Sequence, residues 1–193
     1  MERGPDAPLE DIARQAGVGI GTLYRCFANR QALMHAVVLD ALSRTAEAAE
    51  QALAEEADGF SALAGYMHAA LDLRVSAVIP SLLERLDLDD GELLPARDAS
   101  AAATQRGNDT GHEDGTLPQE ITFGDVGTLL VRMSRPLPGP MPRELQDQLA
   151  HRHLDLLIVG LRPRAGEPRW EIGGRGLSRE ALSALGDQGK AKY

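Results

Sequence analysis

Along the chain, apolar residues recur at intervals of three and four, and there is little alternation over four or more residues. That is the period of helix rather than strand, and it predicts an all-α protein. The first helix is expected to open at Pro8, a residue tolerated at the first helical position, with Glu10 and Asp11 favoured near the positive end of its dipole. Leu9, Ile12, Ala13 and Ala16 then form one apolar face, and Gly17 stops the helix. After the link Gly17-Val18-Gly19, a second short helix carries Thr22, Leu23, Tyr24 and Phe27. Leu23 and Phe27 make an i, i+4 core pair, so Tyr24 and Arg25 must point elsewhere. Asn29 is a good N-cap for a third helix through Leu33, Val37 and Leu42 to about Glu56. At about 1.5 Å per residue it is roughly 40 Å long. It must therefore bridge from a small N-terminal unit into the rest of the protein.

Asp58-Gly59 interrupts the pattern, and a helix from Phe60 to about Ser76 follows. Ile79-Pro80 and Asp89-Asp90-Gly91 bracket a shorter helix, and 92–106 forms another. The stretch RGNDTGHEDGTLP (106–118) is polar and glycine-rich and is expected to be a loop. Helix resumes over Thr122–Ser134. PLPGPMP (136–142) is a stiff connection, and 143–161 is a long helix. From Arg162 the chain is loose until a short helix at Ser178–Leu185. The domains expected are 1–45, 46–162 and an extension over 163–193.

Charge changes the picture once it is divided by region. The net of −9 over 193 residues argues at first against a nucleic-acid partner. Residues 1–46, however, are neutral, residues 47–114 carry −11 and residues 115–193 carry +2. The acidity belongs to the middle of the chain, most simply as a solvated face, and the N-terminal segment is judged separately. No apolar run approaches the length of a membrane span, and the N-terminus lacks the apolar stretch of a signal peptide. The single cysteine, Cys26, cannot form an internal disulfide, which fits a reducing cytoplasm. Only Lys190 and Lys192 are lysines among 20 basic residues, and with abundant alanine this reads as a GC-rich coding bias.

Two helices joined by a tight glycine-containing link, the second short, describe a helix-turn-helix. Gly19 and Gly21 would let the backbone approach a duplex closely. Thr22, Tyr24 and the helix start at Asn29-Arg30 can contact phosphates. Arg25 can reach a guanine edge, and Ile20 can pack on a thymine methyl. GVGIGT (17–22) superficially suggests a phosphate loop, but an amphipathic helix rather than a strand precedes it.

LEDIARQAGVGIGTLYRCFANRQAL (9–33) resembles the N-terminal DNA-binding domain of the tetracycline-repressor (TetR) family. It matches the pattern DIA-x-x-AGV-x-x-GTLY-x-x-F-x-x-R-x-x-L. The resemblance implies phosphate contacts at Thr22, Tyr24 and Arg30, with Ile20, Gly21 and Arg25 facing the groove. It also implies that 115–136 and 143–161 supply the helices of a four-helix dimer bundle. Members of this family normally carry one more helix ahead of the motif. Its absence before Met1 implies an N-terminally incomplete DNA-binding domain that leaves Leu9, Ile12, Leu23 and Phe27 uncovered, from a start site placed too late or, less simply, a real truncation. Cys26 stands where the family often has histidine.

Other candidates read more plainly. Cys26 is expected to be a small buried or half-buried thiol rather than a redox sensor. His151 and His153 lie on different sides of a helix and cannot grip one metal, and His112, Glu113 and Asp114 are expected in a solvated loop. Asn108-Asp109-Thr110 matches a glycosylation sequon but reads as a loop tip. Phe60, Tyr66, Met67, Leu71 and Leu73 are core by default, and the resemblance adds that some of them line an effector pocket.

The function expected is a ligand-responsive transcriptional regulator, a repressor that binds a palindromic operator in double-stranded DNA as a homodimer in a bacterial cytoplasm. A small-molecule effector is implied, with its binding residues unassigned. No catalysis, cofactor, metal or membrane partner is expected. The alternative is a dimerising, ligand-binding protein that does not bind DNA and titrates a partner regulator. An α-helical enzyme is disfavoured, because no convergent polar constellation can be singled out.

Overall fold

The computed structural model describes residues 6–73, 86, 91–162, 172–174 and 176–181, and its regular elements there are helical throughout. Helices α1 (Leu9–Gln15), α2 (Ile20–Cys26) and α3 (Arg30–Glu55) form the N-terminal part. Helices α4 (Gly59–Asp72), α5 (Leu93–Glu113), α6 (Phe123–Met133) and α7 (Arg143–Leu161) complete the body. The helix expected between Ile79-Pro80 and Gly91 lies outside the described residues except for Leu86, as do residues 163–171 and the end of the helix expected at Ser178–Leu185.

Local chemistry explains the helix starts. The Asn29 side chain accepts a hydrogen bond from the Ala32 amide, and Asp58 accepts one from the Ser61 amide, so each occupies an amide that its helix leaves unpaired. Thr122 and Asp125 cap α6 reciprocally, each side chain bonding the other residue's backbone amide. Pro8 stands just outside α1 rather than as its first residue, and its carbonyl accepts from the Asp11 and Ile12 amides.

The main core lies where α3, α4 and α5 meet one another and α4 meets α6 and α7. It holds Phe60, Leu63, Tyr66, Met67, Leu71, Val126 and Leu154. A second cluster joins Val38 and Leu42 of α3 to Leu86 and Leu93. Phe60, Tyr66, Met67 and Leu71 are thus core, and Leu73 is half-buried. Burial holds the Tyr66 hydroxyl above its ordinary pKa, against the opposing effect of its hydrogen bond with Thr104.

The expected loop over 106–118 is corrected: α5 continues to Glu113, and the chain turns only at Gly115, whose φ is +73°. Gly107 and Gly111 lie four residues apart, and the absence of a side chain at Gly111 lets α5 touch the start of α4. A Cβ on Gly59 would stand 2.2 Å from the Gly111 nitrogen. Glycine in a helix interior costs about 1 kcal/mol relative to alanine, and here the close packing offsets it.

The sequon and acidic cluster are corrected with it. Asn108 is 2% exposed, and its Nδ2 donates to the Ile121 carbonyl. His112 Nε2 lies 3.1 Å from the Pro118 carbonyl and 3.0 Å from that of Ile121. Asp114 accepts from the Gly59 amide at 2.7 Å and the Thr116 amide at 2.9 Å. These residues lock the end of α5 to α4 and to the approach to α6.

The segment around Leu177 lies across the start of α6, where the Gly124 amide donates to the Leu177 carbonyl at 2.9 Å. Arg179 reaches Asp98 of α5 at 3.6 Å. The 163–193 extension is therefore not wholly loose.

Candidate nucleic-acid interface

The turn between α1 and α2 is built by backbone bonds. The Ala16 amide donates to the Ile12 carbonyl, and the Val18 amide reaches back to the Ala13 carbonyl at 2.9 Å. Gly17 takes a φ of +71°, a conformation that glycine reaches without the steric cost of a Cβ. Gly19 is then extended, and its carbonyl receives the Thr22 and Leu23 amides as α2 begins.

One residue of each short helix is buried, Ala13 of α1 and Leu23 of α2. Of the four side chains expected to lack cover, Leu23 is buried at 8% exposure, while Leu9, Ile12 and Phe27 are half-buried. Burying Leu23 decides which face of α2 looks outward. Ile20 and Tyr24 form one i, i+4 pair on that side, and Gly21 and Arg25 form another. All four are exposed, Tyr24 at 50%.

Arg25 Nη2 donates to Thr22 Oγ1 at 3.2 Å, which ties the guanidinium along the helix. Arg14 and Arg44 are each paired with an aspartate of their own helix, Asp11 and Asp40. Asn29 is exposed while its Oδ1 caps α3, and Arg30 at the helix start is half-buried. The residues expected to touch DNA, those from Gly19 to Arg25 other than Leu23, with Asn29 and Arg30, therefore lie along α2 and its cap and at the start of α3. Cys26 corrects an expectation: it is exposed rather than buried or half-buried.

Gly19 and Gly21 are informative because nothing among the described residues packs against them. Neither has a left-handed φ, and a Cβ on either would meet no atom within 4 Å. This differs from Gly59, Gly111 and Gly124, each pressed against its own protein.

The sequence reading left the pocket residues unassigned, and the structure holds a cavity of about 850 Å³ between α4, the end of α6, the proline-rich connection and α7. Leu71, Met133, Met141 and Ala150 give it apolar walls, with Arg135 and Arg143 among its polar ones. Ser134 lines it too, and its buried Oγ has no hydrogen-bond partner among the described residues. The signal for this site lies in no single motif, because it is assembled from four segments. Among the described residues, no group of three or more His, Cys, Asp or Glu side chains could hold a metal ion, and no helix is long and apolar enough to cross a membrane.

Residues 1–37 match the family model of bacterial regulatory proteins of the tetR family. The fold is similar to that of a TetR transcriptional regulator from Streptomyces coelicolor, with 30% identity and a TM-score of 0.59. That match covers 85% of this chain and 92% of the other. The TetR family transcriptional regulator PfmR from Thermus thermophilus is similar at 23% identity and a TM-score of 0.55, over 81% of this chain and 90% of its own. The ketosteroid transcriptional regulator KstR2 of Mycobacterium tuberculosis is similar at 20% identity and 0.56, over 84% and 89%. No curated protein sequence matches the chain.

Proposed function

Because the chain belongs to the TetR family of transcriptional regulators, which are not enzymes, we propose that it is a ligand-responsive repressor that binds a palindromic operator as a homodimer in the bacterial cytoplasm. Residues 1–45 act as the DNA-binding domain, 46–162 as the ligand-binding and dimerisation body, and 163–193 as an extension. The observation that carries the DNA-reading part is the outward face of α2. Ile20, Tyr24 and Arg25 stand exposed beside two glycines against which no described residue packs. In this reading the open backbone at Gly19 and Gly21 serves close approach to the duplex. Tyr24, Thr22, Asn29 and Arg30 hold phosphates, and Arg25 and Ile20 read base edges.

Dimerisation is supported by α7. Its inner face buries Leu154 completely, while Leu145, Leu156 and Val159 stand exposed at helical spacing, Leu156 at 59%. A stripe of this kind on a water-facing helix marks an interaction surface. Paired through α6 and α7, two protomers would present their α2 helices to half-sites one helical turn apart, about 34 Å, or a multiple of it. The cavity beside Leu71 and Met141 suits a small amphipathic effector in size, with charged side chains as well as apolar ones in its walls. Such an effector changes DNA binding only through different affinities for the bound and released conformations.

The test is a mobility shift of the full chain on the DNA upstream of its own gene, at low salt and with competitor. Saturable binding of one duplex per dimer supports the reading. A dimer that shifts no candidate operator at low salt overturns it, and favours a protein that sequesters a partner regulator.

A further inference from the structure

His68 on α4 and His151 on α7 meet across the interface of their helices, Nδ1 to Nδ1 at 3.0 Å. Their ring planes differ by 3°, and their centroids are 5.3 Å apart. That separation equals the nitrogen contact plus one ring radius at each end. The rings therefore lie in a common plane and meet head to head, not face to face. Behind each ring stands a carboxylate from the opposite helix. His68 Nε2 lies 3.1 Å from Asp155 Oδ1, and His151 Nε2 lies 3.0 Å from Asp72 Oδ1. Each helix thus supplies a histidine and, four residues on, an aspartate, and the pairs are crossed.

This geometry fixes a proton count. Each carboxylate accepts a hydrogen bond and so holds a proton on its Nε2. With neutral rings, both Nδ1 atoms would then point lone pairs at each other across 3.0 Å. With both rings charged, two N–H groups would collide. One proton on the line makes an N–H···N hydrogen bond of ordinary length. A divalent metal does not fit, because the two lone pairs point along one line, on which zinc needs about 2.0–2.1 Å to each nitrogen, and the carboxylates lie behind the rings rather than at the gap.

We propose that His68 and His151 form a single proton-binding site that clips α4 to α7, with Asp72 and Asp155 fixing the tautomers. Three protons occupy four ring nitrogens, and with both carboxylates the group carries a charge of −1. Among the described residues, Arg143 and Asp147 of α7 and Arg135 after α6 share the cavity wall with Asp72 and His151. Glu56, at the end of α3, stands beside Gly65, one turn before His68.

Without the shared proton the two lone pairs would repel across the gap, and with a second one N–H would face N–H. The clip therefore holds only with one proton between the rings. Since α4 packs on α3 and α7 carries the exposed apolar stripe, it joins the element leading to α2 to the proposed dimer face. That consequence rests on the proposed function, whereas the shared proton does not.

The test is nitrogen-resolved NMR of the histidine side chains in the full chain over about pH 5 to 8, beside thermal unfolding of wild type, His68→Gln and His151→Gln. The expected result is one strongly deshielded proton coupled to an Nδ1 of the pair in the middle of the range, absent from both variants. Each variant is expected to melt about 2–4 °C lower there, with the gap closing toward both ends. Two rings titrating independently with no shared proton, a melting gap constant with pH, or stoichiometric zinc capture by the pair would each overturn the proposal.

Discussion

Gly59 and Gly111 bring α4 and α5 into backbone contact: a Cβ on Gly59 would stand 2.5 Å from the Gly111 Cα and 2.6 Å from the Thr110 carbonyl carbon. Backbone cannot swing aside as a side chain can. Gly59→Ala is therefore expected to destabilise the protein by about 1–3 kcal/mol, the usual cost of overpacking. Gly111→Ala is expected to behave similarly, because its Cβ would lie 2.8 Å from the Leu117 Cβ. Chemical denaturation of both variants checks this, and unchanged midpoints would mean that the helices do not pack this closely.

Gly21→Ala is the contrasting substitution. With open space around the new methyl group, it should leave stability unchanged or raise it by up to about 1 kcal/mol, the helix propensity difference. Operator affinity is nevertheless expected to fall, since the methyl would stand between α2 and the duplex. Anisotropy titration beside a melting curve separates the two effects, and full affinity would argue that α2 does not approach DNA through this face.

Tyr24→Phe and Arg30→Ala should weaken binding to all sequences alike, because a phosphate contact carries no base information. Arg30→Ala should also flatten the salt dependence by about one unit in log–log slope. Arg25→Ala should instead relax preference at one base position, at a cost of about 1–3 kcal/mol. Selection of operators from a randomised library distinguishes these outcomes. Equal effects of all three substitutions on every sequence would remove Arg25 from base reading.

Leu156→Glu places a charge in the exposed stripe of α7. It is expected to weaken the dimer at least about tenfold while leaving the protomer folded, because Leu154 faces the core and Leu156 does not. Light scattering across a concentration series with circular dichroism reads both quantities. Unaltered dimerisation would assign the interface elsewhere.

Asp114 gives a pH dependence of definite sign. Hydrogen bonds from the Thr116 side chain, the Gly59 amide and the Thr116 amide hold its carboxyl below the usual range. A carboxylate with a lowered folded-state value stabilises fully above the unfolded value, about pH 4, and loses this as pH falls through its folded value. Asp114→Ala should therefore melt below wild type at neutral pH, with the gap narrowing in acid. A gap that persists in acid would mean that the charge of Asp114 does not contribute.

Much of this was legible along the chain. The i, i+3, i+4 spacing announced α1, Asn29 announced the start of α3 and Asp58-Gly59 the break before α4, while the structure adds that Asp58 and Thr122 cap α4 and α6. These signals are local, set by a residue and its neighbours within one turn. The helix-turn-helix was legible for the same reason, since Gly17, the short link and α2 lie within a dozen residues. The polar stretch after Arg106 misled because its composition favours a loop when taken alone. A glycine that weakens a free helix is the residue that permits a close crossing, and α4 supplies that crossing from about fifty residues away.

By itself, then, the sequence determined most of the helices, the Asn29 cap and the helix-turn-helix, because each depends on backbone geometry and side chains close in the chain. Tertiary structure alone decided which glycines face protein and which face open space. It also decided that α5 runs on to Glu113, that a cavity forms between four segments, and that His151 pairs with His68 rather than standing in relation to His153. Each of those depends on packing between segments far apart in the chain, and no local spacing records it.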